Sequence, residues 1–300
     1  MRISNNYMMA QSLVDLNNNQ VRIDQTQEDI STGVRIHLPQ DDPTANARAM
    51  VLNENLSQNA QYQTNIDNAK NYLSVTDSTM NSVLNVMQQL RDLAVRGQNG
   101  DLEQPDRDAI NQQVLQLKSQ LIDLGNTQVQ GRFIFGGIKT QDQPYPPTDV
   151  TLSPNDTGAL TTEVGQGITV QYNVTGVSVF GDTTPPDTTS VFAMIDQFSG
   201  YLESGTNTTD ISDSTLPQMD QFITSMSEAR TQVGGTLARL DTANSRLSDE
   251  KINLQSLLND TQSTDIAKAT LDLNQSQAAY QAALAVAARA LPLSLVDYLK

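Results

Sequence analysis

At both ends of this 300-residue chain, apolar side chains return every seven positions. Towards the C-terminus these are Ile266, Leu273, Tyr280 and Ala287, with Ala269, Ala283 and Leu284 at the half-turn positions. Towards the N-terminus Leu16, Ile23 and Ile30 repeat in the same way, with Leu13 on the matching face. A sevenfold apolar repeat follows one side of an α-helix and is buried by supercoiling against another helix. Two such ends are satisfied most economically by a chain that runs out and comes back, so that its termini pair and its middle is carried away from them. That layout suits a building block better than an enzyme.

The interior repeats the theme at greater length. The first helix is predicted from about Ser4 to Ile30, closed by Gly33, and the linker that follows contains Pro39. Asp42-Pro43 then supplies a capping acid and a proline at the first helical position. From there Leu52, Asn59, Ile66, Leu73, Met80, Met87 and Ala94 keep sevenfold spacing, with Tyr62, Ala69, Thr76, Val83 and Leu90 as partners. Gly97 to Gly100 breaks this helix, and Ile110, Val114, Leu117, Leu121 and Leu124 mark another over 106–128. A second very long helix is predicted from Leu216 to Leu258, and Ser263-Thr264-Asp265 offers a fresh start for the last one. Between them, Arg132-Phe133-Ile134-Phe135 reads as a strand entering the Gly136-Gly137 turn, and Ile168–Val174 and Val177–Phe180 read as short strands. Val191–Leu202 is predicted helical, with Phe192, Ile195, Phe198 and Leu202 on one face, and Gly205–Ser214 is predicted as loop.

The expected fold is therefore mainly α, an elongated antiparallel bundle of long helices with a small, mostly-β inserted domain. Three zones are expected: terminal coiled-coil helices (1–42 and 263–300), a long-helix rod (43–137 and 213–262) and an acidic insert (138–212). Aromatic content of 5% with no Trp suits such helices better than a single large globular core.

Charge excludes one class of partner. The net charge is −16, whereas phosphate neutralisation needs Lys and Arg, so no nucleic acid is expected. The excess is local: residues 140–229 hold 12 acidic and no basic side chains, whereas 230–300 hold 7 of each. Near-neutral helical ends can pack against copies of themselves, and an acidic middle resists association. No run of 18 apolar residues is present and no membrane partner is expected. Met1-Arg2-Ile3-Ser4 lacks the apolar core of a cleaved signal. The chain has no Cys.

Materials for catalysis are few, and no enzyme activity, cofactor or metal is expected. His37 is the single histidine and lies in a linker without a nucleophile beside it in sequence. Asp41-Asp42 is accounted for by capping before Pro43. Gly136-Gly137 lacks the Lys-Ser/Thr of a phosphate loop, and the Asp residues of 140–213 lack the spacing of a calcium loop.

The terminal helices remain incompletely explained by pairing with each other. Two helices of about 27 residues bury little surface alone. The last is also rich in alanine (Ala278, Ala279, Ala282, Ala283, Ala285, Ala287, Ala288, Ala290), which permits close neighbours on every side. Other subunits are expected to complete them, and in the free protein residues 5–25 and 270–290 are expected to exchange amide hydrogens readily.

Three stretches carry a family resemblance. ISTGVRIHLPQDDP (30–43) resembles the linker after the first helix in bacterial flagellins and their relatives, and Pro39 with Asp42-Pro43 is nearer to the hook–filament junction members than to flagellin itself. GRFIFGG (131–137) resembles the helix-to-strand passage of that family, and SLVDYLK (294–300) resembles the Leu-Leu-Asp-Tyr-Leu ending of the junction members, with Val296 in place of a common Leu. The resemblance covers about 1–137 and 215–300. It implies a flagellin-type fold and a structural protein of the bacterial flagellum, exported unfolded through the flagellar type III apparatus. It also implies a junction ring made of copies of this chain, between hook-associated protein 1 and flagellin, held by knobs-into-holes packing of the terminal helices. Ile3, Tyr7, Val14, Leu273, Tyr280, Leu284 and Leu291 are the expected subunit-contact positions, and an export chaperone is expected at the helix near Leu271–Leu291. The alternatives are a flagellin filament subunit and a flagellar-surface adhesin acting through 138–212.

Overall fold

The computed structural model of the chain describes residues 2–146, 158–181, 190–205 and 208–290. These fall into two compact units, one formed by the segments 1–58 and 250–300 and the other by 59–249. Two long helices, α2 (Pro43–Gly97) and α7 (Leu216–Gln262), contribute to both. Among the described residues no helix is long and apolar enough to cross a membrane.

In the second unit α2 and α7 run antiparallel, and four polar staples record their register. Asn59 donates to the Leu247 carbonyl, Lys70 pairs with Asp241, Asp77 with Arg230 and Arg91 with Asp220, one number rising as the other falls. Every position of the sevenfold stripe from Leu52 to Ala94 is buried, as are Ala69, Thr76, Val83 and Leu90. From α7, Met219, Met226, Val233, Leu240 and Leu247 complete this seam, again at steps of seven. The unbroken α2 spans roughly 80 Å at 1.5 Å per residue. The ion pairs are solvent-facing, and such pairs contribute little to stability. Even so, hydrogen bonding to Arg91 holds the Asp220 carboxyl below the usual carboxylate range.

Helix α3 (Gln104–Gly125) begins with a proline in its first turn and buries Val114 and Leu121. Its neighbour from the insert is α5 (Val191–Ser204), capped by the Ser190 hydroxyl at one end and by Gly205 in the left-handed region at the other. Phe192, Ile195, Phe198 and Leu202 of α5 are buried, as their shared face required. Asn111 of α3 accepts from Ser199 at 2.6 Å and donates to Glu203 at 3.1 Å. The acidic insert is thus tied to basic and amide side chains of the long helices, with Lys118 on Asp196 as a further link.

The strands form two antiparallel hairpins: β1 (Gln128–Val129) with β2 (Arg132–Phe133), and β3 (Thr161–Gly165) with β4 (Ile168–Gln171). The strand expected from Arg132 to Phe135 is therefore only two residues long. Ile134 and Phe135 leave the ladder to be buried, with Phe135 and Tyr145 both packed edge-on to Phe180. Val177–Phe180, expected as a strand, is instead part of the helical turn α4 (Gly176–Phe180). A turn brings both Val179 and Phe180 into the core, which strand alternation would not.

Gly205–Ser214, expected as loop, is helical from Thr208 onward. A short turn, α6 (Thr208–Asp210), leads into a π-helical turn at Ile211–Thr215 and then α7. Pro217 explains the widened turn. Its ring would collide with the carbonyl four residues back, and the Leu216 amide reaches Ile211 instead.

In the first unit, α1 (Arg2–Thr32) ends at Gly33, whose φ of +72° is the left-handed cap expected there. Asp42 caps α2 by accepting from the Ala45 amide, and Asp41 closes the preceding turn by accepting from the His37 and Leu38 amides. Asp42 is the helix cap expected before Pro43, whereas Asp41 serves the linker turn instead. The chain re-enters α8 (Ile266–Ala290) through Asp265, which accepts from the Ala267 and Lys268 amides.

Candidate subunit interface

Helices α1 and α8 lie against each other, and a small clasp at their base sets their direction. Val34 and Ser263 form an antiparallel bridge in which the Arg35 amide donates to Gln262 at 2.7 Å and the Thr264 amide donates to Gly33 at 2.9 Å. Because α1 ends at this clasp and α8 starts from it, the two helices run antiparallel. Beside it, His37 Nε2 lies 3.1 Å from an Asp29 carboxylate oxygen, so the linker is fastened to the last turn of α1. Among the described residues no group of three or more His, Cys, Asp or Glu is placed to hold a metal ion.

The seam between the two helices uses Leu16, Ile23 and Ile30 from α1, at sevenfold spacing. Ile23 is buried and the other two half-buried. Leu13, expected on this face, is exposed instead. The half-turn positions belong to Ser12, Asn19 and Thr26, short polar residues that a search for apolar partners passes over. From α8, Ala269 and Ser276 are buried, and Leu273, Tyr280, Ala283 and Ala287 are half-buried. Ile266, at the first helical position, and Leu284 are exposed rather than in the seam.

The expected contact positions therefore divide. Leu273 and Tyr280 face the partner helix within the chain. Tyr7, 72% exposed, together with Val14 and Leu284, faces outwards and is free to meet another molecule. Ile3 lies in α1, and Leu291 lies outside the described residues. Sequence reasoning missed Val21, Leu271 and Val286, which are also exposed. The signal was present: Tyr7, Val14 and Val21 are themselves spaced by seven, a second stripe on α1 turned away from the first. A helix with two apolar stripes has one more than a single partner can cover.

The comparisons with known proteins agree with this layout. The bacterial flagellin N-terminal helical region matches residues 3–140, and the bacterial flagellin C-terminal helical region matches residues 216–299. A flagellar hook-associated protein 3 from Salmonella typhimurium is 26% identical, over 94% of this chain and 95% of that one. A flagellar filament 30.7 kDa core protein from Treponema maltophilum is 23% identical, over 94% and 93%. Among solved structures, a flagellar hook-associated protein from Vibrio parahaemolyticus shares the fold, with a TM-score of 0.68 at 24% identity over 74% of this chain and 100% of that one. Matched at both helical ends and similar from end to end to a hook-associated protein 3, the chain belongs to the bacterial flagellin family.

Proposed function

We propose that this chain is a hook–filament junction subunit of the bacterial flagellum and acts by packing rather than by catalysis. The observation that carries the reading is the α1–α8 pair, which spends one apolar stripe internally and leaves Tyr7, Val14, Val21, Leu271, Leu284 and Val286 exposed on its outer sides. Apolar side chains left exposed at helical repeats suit a protein-binding face, and the occupant proposed is a neighbouring copy of the chain, closing a ring by heterologous contacts. Hook-associated protein 1 on one side and flagellin on the other are the further partners in this reading. An export chaperone covers the α8 face before assembly, with secretion through the type III apparatus to the cell exterior.

Similarity over nearly the whole length to a filament core protein favours a second reading, a filament subunit. Deleting the gene separates the two. A junction subunit leaves hooks without filaments and flagellin released into the medium; a filament subunit leaves no released flagellin, and the purified protein grows into long filaments unaided. Intact filaments on the deleted cells would contradict both.

A further inference from the structure

The second unit carries a polar cleft that the assembly reading does not use. It is bounded by α2, the β1–β2 turn and the β3–β4 hairpin, and its volume of about 380 Å³ lies in the range of small-ligand sites, roughly 300–1,000 Å³. Asn68 and Asn71 line it from α2, Gln130 and Arg132 from the first hairpin, and Thr162 and Tyr172 from the second hairpin and its exit. The floor is rigid. Tyr172 packs edge-on against Tyr72 with ring centroids 5.3 Å apart, and the Tyr72 hydroxyl donates to the Ile134 carbonyl at 3.0 Å. Burial, reinforced by Tyr172, raises the Tyr72 phenol far above its ordinary pKa, so it stays a donor.

The rim is uncommitted. Asn65, on the same wall, is engaged with the Glu163 carbonyl at 2.9 Å, but the side chains of Asn68, Asn71, Gln130 and Arg132 make no hydrogen bond within the described residues. Gln130 also occupies a strained position. With φ of +51° it is the single non-glycine residue in the left-handed region among those described, and Gly131 follows at +76°. A two-residue hairpin turn of this kind favours Asn, Asp or Gly at its first position. A long amide held there at conformational cost, over a cleft, is the kind of strain that accompanies binding sites.

We propose that this cleft binds a sugar unit bearing one carboxylate. The amides of Asn68, Asn71 and Gln130 each offer a donor and an acceptor to neighbouring ring hydroxyls, the Arg132 guanidinium forks onto the carboxylate, and Tyr172 offers apolar surface to the ring. A phosphate, with up to two negative charges, is disfavoured because Arg132 is the one cationic side chain lining the cleft. The inference holds independently of the junction reading, because none of these residues belongs to α1 or α8.

Amide NMR titration of the full chain tests it, with glucuronate, N-acetylneuraminate, glucose and acetate as probes. Shifts are expected at Asn68, Gln130, Arg132 and Thr162. An acidic sugar is expected to bind at least about tenfold more tightly than glucose or acetate, the share of one charge-assisted hydrogen bond. Whichever acidic sugar binds better identifies the source, a uronic-acid polymer or a sialylated glycan. Arg132→Gln should abolish the preference over glucose. Gln130→Gly should weaken both acidic sugars while raising the thermal midpoint, a combination that a purely structural role does not produce. Equal binding of glucose and glucuronate, acetate binding as well as the sugars, shifts elsewhere, or undiminished binding by Gln130→Gly each overturns the proposal.

Discussion

Asn59 occupies a position where the repeat calls for an apolar side chain, and it is only 3% exposed. Its amide nitrogen is satisfied by the Leu247 carbonyl at 3.0 Å, while its oxygen has no partner. A polar residue placed so fixes register at a cost in stability. Asn59→Leu is therefore expected to raise stability by about 1 kcal/mol, read as a higher urea midpoint, and a lower midpoint would show that Asn59 stabilises outright. Gly176 is constrained in the opposite sense. A methyl group there would lie 2.9 Å from the Phe135 carbonyl, to which the Gly176 amide is already bonded at 3.0 Å, and would press on Tyr145. Neither side can yield cheaply, so Gly176→Ala should destabilise by about 1–3 kcal/mol, again by urea unfolding; an unchanged midpoint would mean that the contact relaxes.

At the scale of elements, the paired terminal helices are held by a two-residue clasp, the buried side chains of Ile23, Ala269 and Ser276, and a run of half-buried ones. Elements with few buried contacts open at low free energy. Hydrogen exchange on dilute protein should accordingly be faster in α1 and α8 than in α2 between Ile66 and Leu90; equal protection contradicts this. Asp265→Ala removes the α8 cap at a cost of about 1 kcal/mol, and its effect should appear first as faster exchange at the Ala267 and Lys268 amides.

Elements also show where the sequence was legible. The longest helix announced itself because an unbroken sevenfold stripe from Leu52 to Ala94 leaves no competing reading, and Gly33, Asp42-Pro43 and Asp265 marked helix ends by backbone chemistry alone. The 177–180 segment did not, since Val177, Ser178, Val179 and Phe180 fit a short strand or a helical turn equally and the aromatic core decided between them. Nor did the π-turn before Pro217, whose cause lies two residues beyond the segment it reshapes. The outward stripe on α1 was legible in principle, but Tyr7, Val14 and Val21 were masked by the stronger seam of Leu16, Ile23 and Ile30.

For the whole molecule the two stripes predict two kinds of variant. Tyr7→Asp and Leu284→Asp alter exposed positions, so the free protein should unfold within about 0.5 kcal/mol of the parent, yet fail to restore motility to cells lacking the gene. Ile23→Ala should show the reverse order of effects, with lost protection in α8 of the free protein preceding any assembly defect. Rescue of motility by the Asp variants would remove the outer stripe from the proposed interface.

The clasp has a consequence in time. It joins Val34 to Ser263, so α1 cannot meet its partner helix until nearly all the chain between them has been made. At synthesis rates of about 5–20 residues per second, that is a delay on the order of tens of seconds. Throughout it α1 is a solitary amphipathic helix, which is marginal in water. Each molecule is thus born with a long interval in which its first thirty residues are unclaimed, and whatever is to keep them from aggregating, or from finding another molecule's helix first, has to act within it.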